Sequence, residues 1–215
     1  MTYQRATHPG DRAIRAPGGR SLLAAARTIR KGGLVAYPTE AVFGLGCDPR
    51  NTNALRRILR LKQRDASKGL ILIASSFCQL RPYITAVPED VLARVRTTWP
   101  GPVTWLMPAR PWVSQLLRGR HESVAVRVTA HPVAAALCRA AGMAIVSTSA
   151  NISGGVPART SGQATARFGA RVDYVLSGSV DRTASPTRIC DLQTGRVLRP
   201  AESGEQPMSG SASFG

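Results

Sequence analysis

The sequence predicts an α/β domain built on a twisted, mixed β-sheet. Short apolar runs typical of strands interleave with amphipathic helical segments, without the strict alternation of an all-parallel fold. The run Leu-Ile-Leu-Ile-Ala at 70–74 is apolar throughout, as expected for a strand covered on both faces. A chain of 215 residues is most simply one domain with tails, and it is long enough to bury a sizeable core.

Cap and turn residues mark the predicted helices. Ser21 is expected to cap the first helix and Gly32-Gly33 to stop it. Pro88 opens another helix, with acidic residues in its first turn that suit the helix dipole. Ser161 is expected to cap the last helix. Helices are predicted over 21–31, over 53–61, from 88 onwards, over 132–141 and over 161–168.

The predicted strands are short and are separated by turn residues. The last two flank the hairpin turn Gln193-Thr194-Gly195, and Phe43-Gly44-Leu45-Gly46 is interpreted as a turn. A domain over 20–200 is expected to follow an N-terminal extension at 1–19 and to precede a disordered, Ser- and Gly-rich tail at 201–215. Strands are predicted at 34–37, 70–74, 103–107, 124–128, 144–146, 172–176, 188–190 and 196–198.

The chain is strongly basic, with 29 Lys and Arg against 12 Asp and Glu and a formal net charge of +17. One interpretation is a genome-wide preference for arginine, because only Lys31, Lys62 and Lys68 are lysines. The other is a positive surface for polyanions such as ATP, pyrophosphate or RNA. A preference for arginine exchanges lysine for arginine but removes no acids, so we expect some of this charge to be functional.

Several classes of protein and site are excluded by pattern. No run approaches the roughly 18 apolar residues of a membrane span, and the N-terminus lacks the apolar core of a secretory signal, so a cytoplasmic protein without membrane contact is expected. P-loop and Gly-x-Ser-x-Gly hydrolase motifs are absent. His8, His121 and His131 lie near no cluster of possible ligands, His131 is expected to be structural or on the surface, and no metal site is predicted. Small core residues of a reducing compartment, not zinc ligands, are expected at Cys47, Cys78, Cys138 and Cys190.

A loop of small polar residues follows the predicted strand at 144–146. It reads Ser-Thr-Ser-Ala-Asn-Ile-Ser-Gly over 147–154. Its backbone N–H groups and hydroxyls suit an anion, although a polar turn that caps the next element would have the same composition. Lys62, Arg64 and Lys68 form a cationic group earlier in the chain, for which a solvated charge run at a helix end is the alternative.

Five motifs in order resemble the YrdC family of threonylcarbamoyl-AMP synthases. The resemblance runs from about 24 to 199, nearly the whole chain. It implies a single YrdC-like domain whose sheet curves around a deep, positively charged cavity. The motifs are Tyr37-Pro38-Thr39-Glu40 with the following aromatic-Gly-Leu-Gly, Lys62-Gln63-Arg64, Trp99-Pro100-Gly101-Pro102-Val103-Thr104, Val126-Arg127-Val128 and Ser149-Ala150-Asn151.

The resemblance implies a nucleotidyltransferase. L-Threonine, bicarbonate or carbon dioxide, and ATP would give threonylcarbamoyladenylate and pyrophosphate, for the threonylcarbamoyladenosine modification of tRNA next to the anticodon. Mg²⁺ would be brought with ATP, and the proteins of the downstream threonylcarbamoyl-transferase complex are expected partners, with a contact to tRNA itself left open. The alternative is a non-catalytic RNA-binding module that uses the same basic cavity.

Roles at the site follow from the resemblance, residue by residue. Lys62 and Arg64 are expected to be catalytic and to face phosphates in solvent-accessible space. Arg127, inside an apolar strand, needs a carboxylate partner, either a protein acid or the substrate's own carboxylate. Asp65 replaces a proline, and Ile73 a histidine, that many relatives carry. The expected threonine site comprises Thr39, Arg127, Ser149 and Thr187, and the expected ATP site comprises Lys62, Arg64, Lys68, Ser123, Asn151, Thr160 and Arg199.

Overall fold

Nine short strands form one sheet within the part of the chain that the structure describes. This computed structural model describes residues 17–181, 184 and 187–199. The strands are β1 (Val35–Pro38), β2 (Phe43–Gly46), β3 (Ile71–Ala74), β4 (Val103–Pro108), β5 (Ser123–Val128), β6 (Ile145–Ser149), β7 (Tyr174–Val175), β8 (Arg188–Asp191) and β9 (Val197–Arg199).

The sheet is mixed, as the sequence predicts. Its strand order is β7-β1-β2-β6-β3-β5-β4-β8-β9. The pairs β1–β7, β3–β5 and β4–β8 are parallel, and the remaining neighbours are antiparallel. β3 and β6 therefore lie near the middle of the sheet, where both faces can be covered.

Helices flank this sheet. Asn51 caps the second helix through a hydrogen bond from Ala54 N to its Oδ1, and the fifth helix begins at Pro132 and ends at Gly142 in the left-handed conformation (φ +74°). No described helix is both long and apolar enough to cross a membrane. The helices are α1 (Gly19–Arg30), α2 (Thr52–Lys62), α3 (Glu89–Arg96), α4 (Gln115–Arg118), α5 (Pro132–Ala141) and α6 (Ser161–Phe168).

Alternating side chains of the sheet enter two separate cores. On β3, Leu72 and Ala74 belong to the larger core together with α2, whereas Ile73 packs in a second core under α1 and α5. On that second face, β2 and β6 carry the small residues Gly44, Ser147 and Ser149 in place of large apolar ones, and all three line a cavity. The cavity therefore begins where the apolar side chains of this core end.

Several predicted elements differ from the structure at their ends. Phe43–Gly46, predicted as a turn, is strand β2 and pairs antiparallel with β1. β6 continues to Ser149, so the first part of the predicted anion loop is strand. Ser21 lies inside α1, which begins after Gly18 without a side-chain cap, and Thr160, not Ser161, caps α6.

The predictions for the histidine before α5 and for the cysteines are confirmed in part. His131 is structural as predicted, because its Nδ1 accepts a hydrogen bond from Ala134 N at the start of α5. Cys47, Cys138 and Cys190 are buried, but Cys78 is exposed on a 3-10 turn after β3, so its predicted core position is wrong. The predicted tail at 201–215 and most of the extension at 1–19 lie outside the described residues.

Candidate active site

A cavity of about 460 Å³ opens on the sheet face beside the second core. Strand ends, the segment after β1, the segment after α2 and the loop after β6 form its walls. Its charged lining consists of three arginines and one glutamate. The lining residues are Thr39, Glu40, Ala41, Val42, Gly44, Arg64, Leu70, Ile71, Arg127, Ser147, Thr148, Ser149, Asn151, Gly154, Gly155, Pro157, Thr187 and Arg199.

Arg127 has the carboxylate partner that its apolar strand requires. It is buried on β5, and its Nη2 lies 3.1 Å from Glu40 Oε2. Glu40 Oε1 accepts a hydrogen bond from Thr129 Oγ1 at 2.7 Å, and this holds the carboxylate in place. Burial alone would raise the pKa of Glu40, but the charge of Arg127 and the Thr129 hydrogen bond outweigh it and hold that pKa below its usual range.

The ion pair leaves donors of Arg127 unused. Its buried Nε has no hydrogen-bond partner, although the residue lines the cavity. A guanidinium carries five N–H donors in a planar fork that matches a carboxylate. Arg127 can therefore keep Glu40 and still bind a second carboxylate that enters from the cavity.

Thr39 lies next to this ion pair at the end of β1. Its Oγ1 donates to Val42 O at 2.6 Å, so its hydroxyl proton is already used. The oxygen retains lone pairs, and it can accept a hydrogen bond from a ligand hydroxyl. Ser149 and Thr187, two further members of the predicted threonine site, also line the cavity.

Arg64 and Arg199 lie close to each other on the phosphate side of the predicted site. Arg64 donates from Nε and Nη2 to Gly69 O, at 3.3 and 3.1 Å, and Arg199 Nη2 donates to Thr187 O at 3.0 Å. Burial, and next the charge of Arg199, lower the pKa of Arg64. Two nearby guanidinium groups repel each other unless an anion lies between them, so this pair favours a polyanion.

Lys62 is placed differently from the prediction. It is only 2% exposed, and it is not part of the cavity lining. α2 ends at Lys62 because Gln63 takes the left-handed conformation (φ +50°), and the Lys62 side chain points into the loop after β6. The prediction that Lys62 lies in solvent-accessible space is wrong.

Three further predicted ATP contacts lie outside the cavity lining. Lys68 is exposed on the 3-10 turn Ala66–Lys68, and Ser123 begins β5. Thr160 is exposed, and its Oγ1 accepts a hydrogen bond from Gln163 N at 3.1 Å as the cap of α6. The structure brings together Thr39, Arg64, Arg127, Ser149, Asn151, Thr187 and Arg199.

Glu40 is the charged residue of the cavity lining to which the sequence analysis assigned no role. It follows Thr39 in the Pro-Thr-Glu motif, so the signal was present, but nothing in the sequence links it to Arg127, 87 positions later. Ser147 and Thr148 were part of the predicted anion loop, yet only the sheet register places them beside Ile71 and Leu45 respectively.

Among the described residues, no three His, Cys, Asp or Glu side chains come together as metal ligands. The carboxylate in the cavity, Glu40, is paired with Arg127. No unpaired carboxylate therefore lines the cavity among the described residues, so a magnesium ion would find no free charged protein ligand there.

Comparison with known proteins identifies the family. The sequence model of one protein family, that of the Sua5, YciO and YrdC proteins, described as "Telomere recombination", matches residues 27–201. The chain belongs to this family. It is 55% identical over 175 residues to the threonylcarbamoyl-AMP synthase of Nitrosococcus oceani, covering 81% of this chain and 95% of the relative. The protein of that name from Thiobacillus denitrificans is 53% identical over 171 residues, covering 80% and 90%.

Solved structures of the same family share the fold. Sua5 of P. abyssi, in a crystal structure with L-threonine, has a TM-score of 0.78 at 34% identity; the match covers 84% of this chain and 54% of Sua5. E. coli YciO has a TM-score of 0.78 at 27% identity, with coverage of 88% and 93%. The chain thus matches about half of Sua5 and nearly all of YciO.

Proposed function

We propose that the protein is a threonylcarbamoyl-AMP synthase. The observation that carries the proposal is its identity of 53–55% to bacterial proteins of that name, over 90–95% of their length. The alternative, a non-catalytic RNA-binding module, does not need a cavity with small strand residues and inward-facing arginines.

The reaction joins three substrates. The neutral amine of L-threonine and bicarbonate form a carbamate with loss of water. A carbamate oxygen then attacks the α-phosphorus of ATP, a P–O bond to the leaving group breaks, and pyrophosphate departs. Because the substrates are anions that repel each other, the protein mainly has to hold them together and neutralise the charge that develops on pyrophosphate.

Two groups of cavity residues fit these demands. Arg127, oriented by Glu40, would bind the threonine carboxylate, and Thr39 would accept a hydrogen bond from the threonine hydroxyl. Arg64 and Arg199 would bind the triphosphate, and Ser149 and Asn151 lie in the same lining. Mg²⁺ bound to the ATP phosphates would offset their charge, with its remaining ligands from water.

The product would pass to the proteins that transfer the threonylcarbamoyl group to tRNA. A mixed anhydride of a carbamate and a phosphate hydrolyses readily, so prompt transfer to the acceptor nucleoside is chemically necessary. Direct contact between this protein and tRNA is not required by that scheme.

Pyrophosphate release with ATP, bicarbonate and L-threonine tests the proposal. Release that depends on both threonine and bicarbonate is expected, and its absence in the wild-type protein would contradict the proposed function. Arg64→Ala should lower release at sub-saturating ATP by about ten- to a hundredfold, the effect of one charge-assisted contact. Arg94→Ala, on the exposed face of α3, is the matched control and should leave release unchanged.

A further inference from the structure

The buried side chain of Lys62 belongs to the protein's own framework. Its Nζ donates to Ser149 O at 2.5 Å, to Asn151 O at 2.9 Å and to Asn151 Oδ1 at 2.9 Å. A protonated lysine has three N–H donors, and three acceptors of the chain surround this one. No donor is left for a ligand in this arrangement.

The backbone of Lys62 holds the same loop. Ser153 N donates to Lys62 O at 2.9 Å, and Asn151 extends the connection, because its Oδ1 also accepts from Ser149 Oγ at 2.7 Å and its Nδ2 donates to Gly155 O at 2.5 Å. Lys62 therefore connects the end of α2 directly to Ser149, Asn151 and Ser153. Four residues of the segment 149–155 line the cavity, namely Ser149, Asn151, Gly154 and Gly155, whereas Lys62 does not.

The carbonyl groups of Ser149 and Asn151 explain why a lysine is used. Where the chain leaves β6, these two carbonyl oxygens point toward the buried Lys62 Nζ. Ser149 O also accepts a hydrogen bond from Asn151 N at 3.0 Å, whereas Asn151 O would lose the ammonium donor that pairs it in this buried place. One ammonium group satisfies both together with the Asn151 amide oxygen. A neutral apolar side chain of similar length would leave all three acceptors without this partner.

We propose that Lys62 is a positioning residue that shapes the Ser149–Asn151 loop, and that it does not bind the phosphates of ATP. The inference rests on the proposed function and refines it: Lys62 would support both parts of the cavity at once, because it holds Ser149 of the predicted threonine site and Asn151 of the predicted ATP site. Arg64, two residues later, lines the cavity and takes the phosphate-binding role.

The two roles predict different effects on threonine binding in the absence of ATP. If Lys62 only bound the phosphates of ATP, its loss would not affect threonine binding under those conditions. If Lys62 positions the loop, its loss should weaken threonine binding, because the position of Ser149 depends on it. Lys62→Met keeps the length of the side chain and removes the ammonium, and Arg64→Ala serves as the matched control from the same motif.

Calorimetry with L-threonine and ATP-free protein is the test. Lys62→Met should weaken threonine binding by about tenfold or more, the loss expected for one charge-assisted hydrogen bond, and Arg64→Ala should leave it within about twofold. In steady-state assays Lys62→Met should raise KM for both substrates, and Arg64→Ala only that for ATP. Wild-type affinity for threonine in folded Lys62→Met would overturn the inference, while threonine-dependent pyrophosphate release by the wild type would still support the proposed function.

A second measurement uses the wild-type protein and does not depend on the variant folding or on threonine binding. In protein with ¹⁵N-labelled lysine, the buried ammonium of Lys62 should give a slowly exchanging Nζ signal without any ligand. Added ATP should change this signal little. A signal that appears only with ATP, or that couples to ³¹P, would show a phosphate ligand and contradict the inference.

Discussion

At the residue scale, the Glu40–Arg127 pair shows how a charge is accommodated within an apolar sheet. Side chains of both residues are largely buried, at 14% and 6% exposure, so an unpaired partner would be costly. Glu40 Oε1 accepts a hydrogen bond from Thr129 Oγ1, and Glu40 Oε2 forms the ion pair with Arg127 Nη2. Each partner thus spares the other the cost of an uncompensated buried charge, and Glu40 also orients the guanidinium of Arg127, which lines the cavity.

We expect Glu40→Gln to lower the free energy of unfolding at pH 7 by up to about 3–5 kcal/mol, because Arg127 would keep a buried charge without its counter-ion. The lowered pKa of Glu40 sets the pH dependence. A carboxyl whose pKa is lower in the folded state stabilises above its unfolded value of about 4.3, and this contribution is lost as pH falls through the folded value.

Urea unfolding of wild type and Glu40→Gln between pH 7 and pH 3 measures the difference in the free energy of unfolding. The difference between them should be constant above about pH 5 and should shrink as the carboxyl protonates. Glu89→Gln, which removes an exposed ion pair with Arg96, is the control and should have little effect. A difference that grew toward low pH would contradict the assignment.

Thr39 provides a second prediction at this scale. L-Threonine should be used far better than L-valine, because a pocket that accepts the ligand hydroxyl is left with an unpaired polar group by valine. Thr39→Val should reduce that preference by about tenfold. Adenylate formation with both amino acids is the measurement, and Thr28→Val is the control, because its hydroxyl also donates to a backbone carbonyl (Ala24 O, 3.0 Å) but lies in α1, away from the cavity. An unchanged preference would exclude Thr39 as the hydroxyl partner.

At the scale of elements, β2 and β6 open the cavity by carrying small residues on one face. Gly46 lies on the same face of β2 but outside the cavity lining, and the phenol ring of Tyr37 packs over it from the neighbouring strand β1. A Cβ at Gly46 would lie 2.7 Å from Tyr37 Cε1 and 2.5 Å from Val146 O. Since a backbone oxygen cannot move aside, the sheet itself requires a glycine here.

Gly46→Ala should therefore destabilise the protein by about 1–3 kcal/mol or more through overpacking. Gly19→Ala, at the start of α1 where a Cβ meets nothing within 4 Å, is the matched control, and it should be neutral or slightly stabilising. Chemical unfolding of both variants decides the matter. Equal stabilities would mean that β1 and β2 can separate enough to admit the methyl group.

At the scale of the whole molecule, the net charge of +17 suits a protein whose cavity would hold two anionic substrates. Arg64 lies in the segment after α2, Arg199 ends β9 and Arg127 lies on β5, and all three line one cavity. The proposed nucleotide part of the site would thus need no contribution from threonine.

ATP should accordingly bind and stabilise the protein without threonine. At a hundred times its Kd, a ligand that binds only the folded state adds about 2.7 kcal/mol, which thermal unfolding detects as a raised Tm. The effect should diminish at high salt, since part of the attraction is long-range. Arg64→Ala should largely remove it. A rise in Tm that required threonine would show that the nucleotide part forms only around the amino acid.

The sequence by itself determined the mixed α/β fold and seven of the predicted site residues that line the cavity, because these depend on local pattern and on short motifs. The limits of α5 follow from Pro132, from its apolar periodicity and from Gly142. The tertiary structure alone decided that Phe43–Gly46 is a strand, that Glu40 is the partner of Arg127, and that Lys62 is buried under the loop after β6. Each of these depends on a contact between segments distant in the chain, whose energy no local pattern contains.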